Sequence, residues 1–195
     1  MRTELAVVVL VFIVTSVITY LAPQQFKVSA KEDISGLMKV FKGLMKRLGL
    51  TSALILPAII MYNNLRVVFL NLALGITIVG PLVITAYNAY IIASFVSHGN
   101  VVENLVLVLP HGVVELSAIL LSAALGLRLG LNIVVRRRSS VATIKEVLRY
   151  IPLVMMLLLV AALIESYVTP LIYVGMKIVS GELPLNLSVI NTTAW

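Results

Sequence analysis

The sequence contains no cysteine, which excludes disulfide frameworks, thiolate nucleophiles and cysteine-ligated metals, and leaves the redox compartment open. Charge is scarce as well. Only 12% of the 195 residues are Asp, Glu, Lys or Arg, against about 25% in soluble domains. That deficit leaves too little polar surface to face water on all sides, so a soluble enzyme is excluded. There are two histidines, His98 and His111, and neither a Gly-x-Ser-x-Gly elbow nor a phosphate-binding Gly-Lys-Ser/Thr loop occurs.

What is present is hydrophobic. Apolar residues make up 61% of the chain and the mean hydropathy is +1.09, so lipid is the solvent for most of it. The expectation is a single all-α membrane domain over residues 1–195, a polytopic bundle of transmembrane helices. The net charge of +7 comes from 15 Lys and Arg against 8 Asp and Glu. In such a chain, clustered basic residues meet anionic lipid headgroups rather than nucleic acid.

Residues 5–22 carry no charge and are long enough to cross a hydrocarbon core. The competing reading as a signal peptide is weaker, because Ala22-Pro23-Gln24 makes a poor cleavage site. Ser29 and Glu32 have capping-box spacing ahead of an apolar stripe. Lys39, Lys42, Lys46 and Arg47 fall mostly outside that stripe, which predicts a basic amphipathic helix over about 33–48. It would lie at the lipid surface or pack on the bundle. Residues 50–62 are apolar but short and contain Pro57. Thirty uncharged residues, 67–96, are broken at Gly80-Pro81, and the region of Asn88 offers a turn, giving spans at about 65–86 and 88–97. Further spans come at about 104–130, interrupted early by Leu109-Pro110-His111-Gly112, and at 151–175, with Pro152 in its first turn. Between them lies a short basic connector, 136–149. The tail 182–195 is polar and holds two glycosylation-type triplets, at Asn186 and Asn191.

Five spans result, or six if residues 50–62 open another crossing. The connector carries Arg136, Arg137, Arg138, Lys145 and Arg149 and is the clearest positive-inside signal. With it cytoplasmic, five spans place the N-terminus inside and the C-terminus outside. The basic segment 23–62 then falls on the outer side, which conflicts with the same rule.

The informative residues are polar groups inside apolar helices, where an ionised group at the bilayer centre costs about 2.5–3.5 kcal/mol on insertion scales. His111 and Glu115 share one helix face, and Ala118, Ser122, Gly126 and Gly130 continue it as a small-residue packing stripe. Glu165 and Thr169 share a face of the last span, and Arg66 sits beside Asn63 and Asn64 at the mouth of another. These groups are expected to turn inward, Glu115 or Glu165 pairing with Arg66 or His111, with Asn63, Asn64, Asn71, Asn88 and Thr169 in support. Such a network either sets helix register or lines a path for a small ion or polar solute. A catalytic role would need a nucleophile or a metal. His111, Glu115 and Glu165 could hold zinc in principle, but nothing in their spacing requires it, so neither catalytic residues nor a metal or other cofactor are expected.

Asn63-Asn64-Leu65-Arg66, Asn71, Gly75, Pro81 and Asn88, then Leu109-Pro110-His111-Gly112-Val113-Val114-Glu115, then Ile164-Glu165-Ser166-Tyr167-Val168-Thr169-Pro170 together resemble the stage II sporulation protein M family of integral membrane proteins. The resemblance covers about residues 60–172. It implies some five spans with the N-terminus inside. The founding member works with peptidoglycan-degrading partners in endospore formation, and relatives occur widely in prokaryotes that never sporulate. The resemblance thus implies a non-enzymatic membrane scaffold that recruits membrane or cell-envelope partners. The small-residue stripe adds the expectation of a homo-oligomer, and a channel or transporter is the alternative.

Overall fold

The structure, a computed structural model, describes residues 1–27 and 51–181. The amphipathic helix expected at 33–48, with Lys39, Lys42, Lys46 and Arg47, and the tail 182–195 lie outside the described residues.

The described residues form seven α-helices and no strand: α1 Arg2–Leu21, α2 Thr51–Ala73, α3 Val79–Val96, α4 Val101–Gly130, α5 Ser140–Leu148, α6 Ile151–Leu163 and α7 Thr169–Val179. A 3-10 turn, Leu74–Thr77, follows α2, and π-helical segments follow α4 at Leu131–Val135 and α6 at Ile164–Val168. Five stretches are long and apolar enough to cross a membrane: Arg2–Leu21, Ile55–Thr77, Val79–Val96, Val101–Val135 and Ser140–Met176. The chain is therefore a multi-spanning helical bundle, as its composition requires.

The boundaries differ from the sequence reading in four places. The described part of the expected 50–62 segment is not separate, since α2 begins at Thr51 and runs through Pro57 into the second span. A proline costs less here than in water because neighbouring helices can satisfy the carbonyl it frees. The break between the second and third spans falls at 74–78, not near Asn88. Thr77 Oγ1 donates to the Leu74 carbonyl and accepts from Gly80 N–H, while Ile78 adopts a positive φ of 63°. Pro81 then falls in the first turn of α3, where no N–H is needed. Asn88 stays mid-helix by donating its side-chain amide to the Ile84 carbonyl. In α4, Pro110 causes no interruption, and the helix is capped by Asn100, whose side chain accepts from Val102 and Glu103 N–H. Finally, the basic connector is not all loop, because Ser139 caps α5 within it.

Helix α4 is the centre of the bundle. Its most apolar stretch is 56% buried, against 17–28% in the other four spans. Antiparallel α1 meets the end of α4, where Val8 packs near Ala123, Ala124 and Leu127. Antiparallel α6 sets Val154 and Leu158 among Leu125, Ala118 and Val68. Parallel α2 lies along the small-residue stripe, and Ala118, Ser122, Gly126 and Gly130 are all buried. A Cβ at Gly126 would collide with the Asn71 carbonyl, and one at Gly130 with that of Gly75. The stripe is thus consumed by packing within one chain. The face from which a homo-oligomer was expected is occupied by α2 of the same chain.

Outside this core the usual order of a soluble protein is inverted. Leu10, Ile18, Leu21, Val83 and Leu171 are exposed, while Asn71, Thr85, Ser94 and Ser122 are fully buried. In hydrocarbon, polar side chains find partners only inside the bundle.

Candidate functional site

Helix α2 presents Asn64, Val68 and Asn71, and the 3-10 turn after it Gly75, to α4, whose facing seam is Glu115, Ala118, Ser122 and Gly126. Both sets recur at helical spacing, so the backbones approach closely where the small residues lie. Asn71 donates to the Ser122 hydroxyl at 2.9 Å and reaches the Ile119 carbonyl at 3.5 Å. About two turns toward the other end, the buried Asn64 amide donates to the Glu115 carboxylate.

At that level the α6–α7 rod changes phase. The π-helical segment Ile164–Val168 holds Glu165, and Thr169 opens α7. A π segment inserts extra backbone into a helical turn and rotates the residues beyond it. It also gives room for Pro170, which would press on the preceding turn of a regular helix. The outcome is that Glu165 and Thr169 both reach α4. His111 Nδ1 lies 3.1 Å from Thr169 Oγ1, and His111, Glu115 and Glu165 each offer a ligand atom within 4.8 Å of the other two. All three are half-buried. The inward convergence expected for the two glutamates and the histidine is what the structure has.

Arg66 does not join them. Successive residues of an α-helix differ by about 100°, so turning Asn64 inward points Arg66 roughly 200° away. It is exposed, and with Tyr62, Leu65, Phe69, Val154 and Met155 it lines a separate groove of about 490 Å³ between α2 and α6. Nor does Arg66 sit at the mouth of a span. It is about 16 Å from either end of Ile55–Thr77 at ~1.5 Å per residue. Asn63 is exposed and, among the described residues, Asn88 bonds within α3, so neither joins the cluster. Among the described residues, no lysine or arginine forms an ion pair with Glu115 or Glu165.

The profile of the stage II sporulation protein M family matches residues 6–170. The chain belongs to the stage II sporulation protein M family. Within the family match lie all the polar groups of this cluster. Two curated relatives are similar to it, both from Methanocaldococcus jannaschii. The uncharacterized protein MJ0793 is 31% identical over 123 residues, covering 57% of this chain and 69% of that protein. The uncharacterized protein MJ0706 is 33% identical over 115 residues, covering 55% of this chain and 52% of that protein, so the chain spans only about half the length of this second relative. No solved structure gives a significant match. This family member also carries a second polar centre that sequence reasoning missed, at the opposite end of α4. Glu4 is 2% exposed and accepts from Arg128 at 3.5 Å and Arg136 at 3.4 Å, and its other oxygen meets the Met1 amino group. Arg128 in turn donates to Glu146 of α5 at 2.7 Å. The signal in the sequence was a lone acid opening an apolar helix and a lone arginine closing another, and nothing local links the two.

Proposed function

We propose that this family member is a non-enzymatic, partner-recruiting subunit of a membrane assembly, and that its recruiting face is the α2–α6 groove around Arg66. The observation supporting this is Arg66 itself, a permanent charge exposed at mid-span on an otherwise apolar lateral face. At bilayer depth such a group costs about 2.5–3.5 kcal/mol on insertion scales. A carboxylate on a neighbouring transmembrane helix would offset that cost and fix the register of the two helices. The occupant is therefore a transmembrane helix of a second protein with Asp or Glu near its middle, its apolar side chains filling the groove. The basic residues 136–149 favour the cytoplasmic side for that end of the bundle, with the N-terminus inside and residue 181 outside.

Photo-crosslinking amino acids placed at Phe69 and Met155 in native membranes test this reading. The expected result is an adduct with one other membrane protein, lost in Arg66→Leu. Adduct formation should return when Arg66→Glu is combined with a lysine in place of the partner's carboxylate. Adducts only to a second copy or within the chain, adducts indifferent to Arg66, or none at all overturn it. Ion or solute flux in reconstituted liposomes that disappears in Glu115→Gln would replace recruitment with transport.

A further inference from the structure

The groove around Arg66 makes no use of the half-buried cluster on the α4–α6 side, and its chemistry points elsewhere. We infer that His111, Glu115 and Glu165 form a binding site for a single divalent transition-metal ion of the zinc or manganese class, held at bilayer depth. One imidazole and two carboxylates are a donor set that such ions accept, and their ligand atoms lie within 4.8 Å of one another. Around a tetrahedral ion with bonds near 2.0–2.2 Å the ligands stand roughly 3.4 Å apart, so side-chain rotation of about an ångström closes the site without moving a helix.

Charge argues the same way. Among the described residues, no lysine or arginine forms an ion pair with either of these two neighbouring carboxylates. A divalent ion balances both. The surrounding groups match what ligands need for orientation. The Thr169 hydroxyl, 3.1 Å from His111 Nδ1, would fix the orientation of the imidazole. The buried Asn64 amide holds Glu115, and the π segment carries Glu165 to the same point. Three protein ligands leave a further position on the metal for a water or a small anionic ligand.

The full chain in nanodiscs, stripped with a chelator, loaded with zinc or manganese chloride and desalted, is assayed for metal by mass spectrometry. The expected result is about one ion per chain in the wild type and less than a tenth of that in Glu165→Gln and Glu115→Gln. Thr169→Val is expected to weaken binding about 10-fold or more, and Arg66→Leu to leave it unchanged, which separates this site from the recruiting groove. If the glutamate variants do not fold, cobalt(II) added to the wild type supplies the second measurement. Visible d–d bands that zinc abolishes are expected. Wild-type metal content no higher than that of folded Glu165→Gln, or a featureless cobalt spectrum, overturns the site.

Discussion

Asn71 donates its side-chain amide to the Ser122 hydroxyl at 2.9 Å, with both residues fully buried between α2 and α4. Interhelical hydrogen bonds of this kind contribute on average about 0.6 kcal/mol in membranes. Ser122→Ala should lower stability by roughly that amount, because Asn71 keeps the Ile119 carbonyl. Asn71→Leu should cost more, since it forces branched bulk into a seam with no space for it. Reversible unfolding in mixed micelles measures both, and equal losses would show that the hydrogen bond, not the packing, dominates.

Glycine substitutions separate packing from backbone freedom. A Cβ at Gly126 meets the Asn71 backbone carbonyl, whereas one at Gly175 meets nothing within 4 Å. Gly126→Ala should destabilise the single chain by at least 1–3 kcal/mol, as overpacking does, and Gly175→Ala should be tolerated. Thermal melts of the two variants in one detergent provide the comparison. A Gly126→Ala protein as stable as wild type would return the stripe to a role between chains.

Five spans could be read from the sequence because uncharged runs long enough to cross lipid are rare in water-soluble chains. Their boundaries could not. Asn63-Asn64-Leu65-Arg66 reads as the mouth of a span when polarity is taken as exposure, but inside a bundle a polar residue survives mid-helix if its face turns inward. Asn64 does so and Arg66, two residues on, does not. The face of His111 and Glu115 was legible because i, i+4 spacing continued into small residues. The place of Glu165 beside them depends on a π segment that has no dependable sequence signature. The pairing of Glu4 with Arg128 joins residues 124 positions apart, and each resembles an ordinary charge at a helix end.

The Glu4 centre should be structural. Removing one partner of a buried ion pair strands the other and costs about 3–5 kcal/mol. Glu4→Ala should therefore destabilise strongly, while Arg137→Ala, with no ion pair among the described residues, should change stability by less than about 0.5 kcal/mol. Chemical denaturation of both variants distinguishes them. A neutral Glu4→Ala would mean that Arg128 is held by Glu146 alone.

Asn100 is the cap of α4, accepting from Val102 N–H at 3.1 Å and Glu103 N–H at 3.3 Å. Asn100→Ala should cost about 1 kcal/mol and Asn100→Asp little, because aspartate caps equally well. Hydrogen exchange at Val102 and Glu103 should accelerate in the alanine variant only. Acceleration in both would place the effect in the loop rather than in the cap.

Arg66→Leu should leave folding intact, since the side chain is exposed and its replacement suits lipid. Size-exclusion profile and melting temperature in detergent should match or exceed those of the wild type. A misfolded Arg66→Leu protein would show that the charge serves the chain's own architecture.

The π segment between α6 and α7 makes this rod a phase shifter as well as a strut. Were Ile151–Val179 regular throughout, everything after Leu163 would point in a different direction around the axis, by about 100° for each residue gained or lost. Spacing in this stretch is thus not interchangeable with length. Substitutions can drift freely on its lipid side, but a one-residue insertion or deletion anywhere in 164–168 re-aims the whole terminal helix at once.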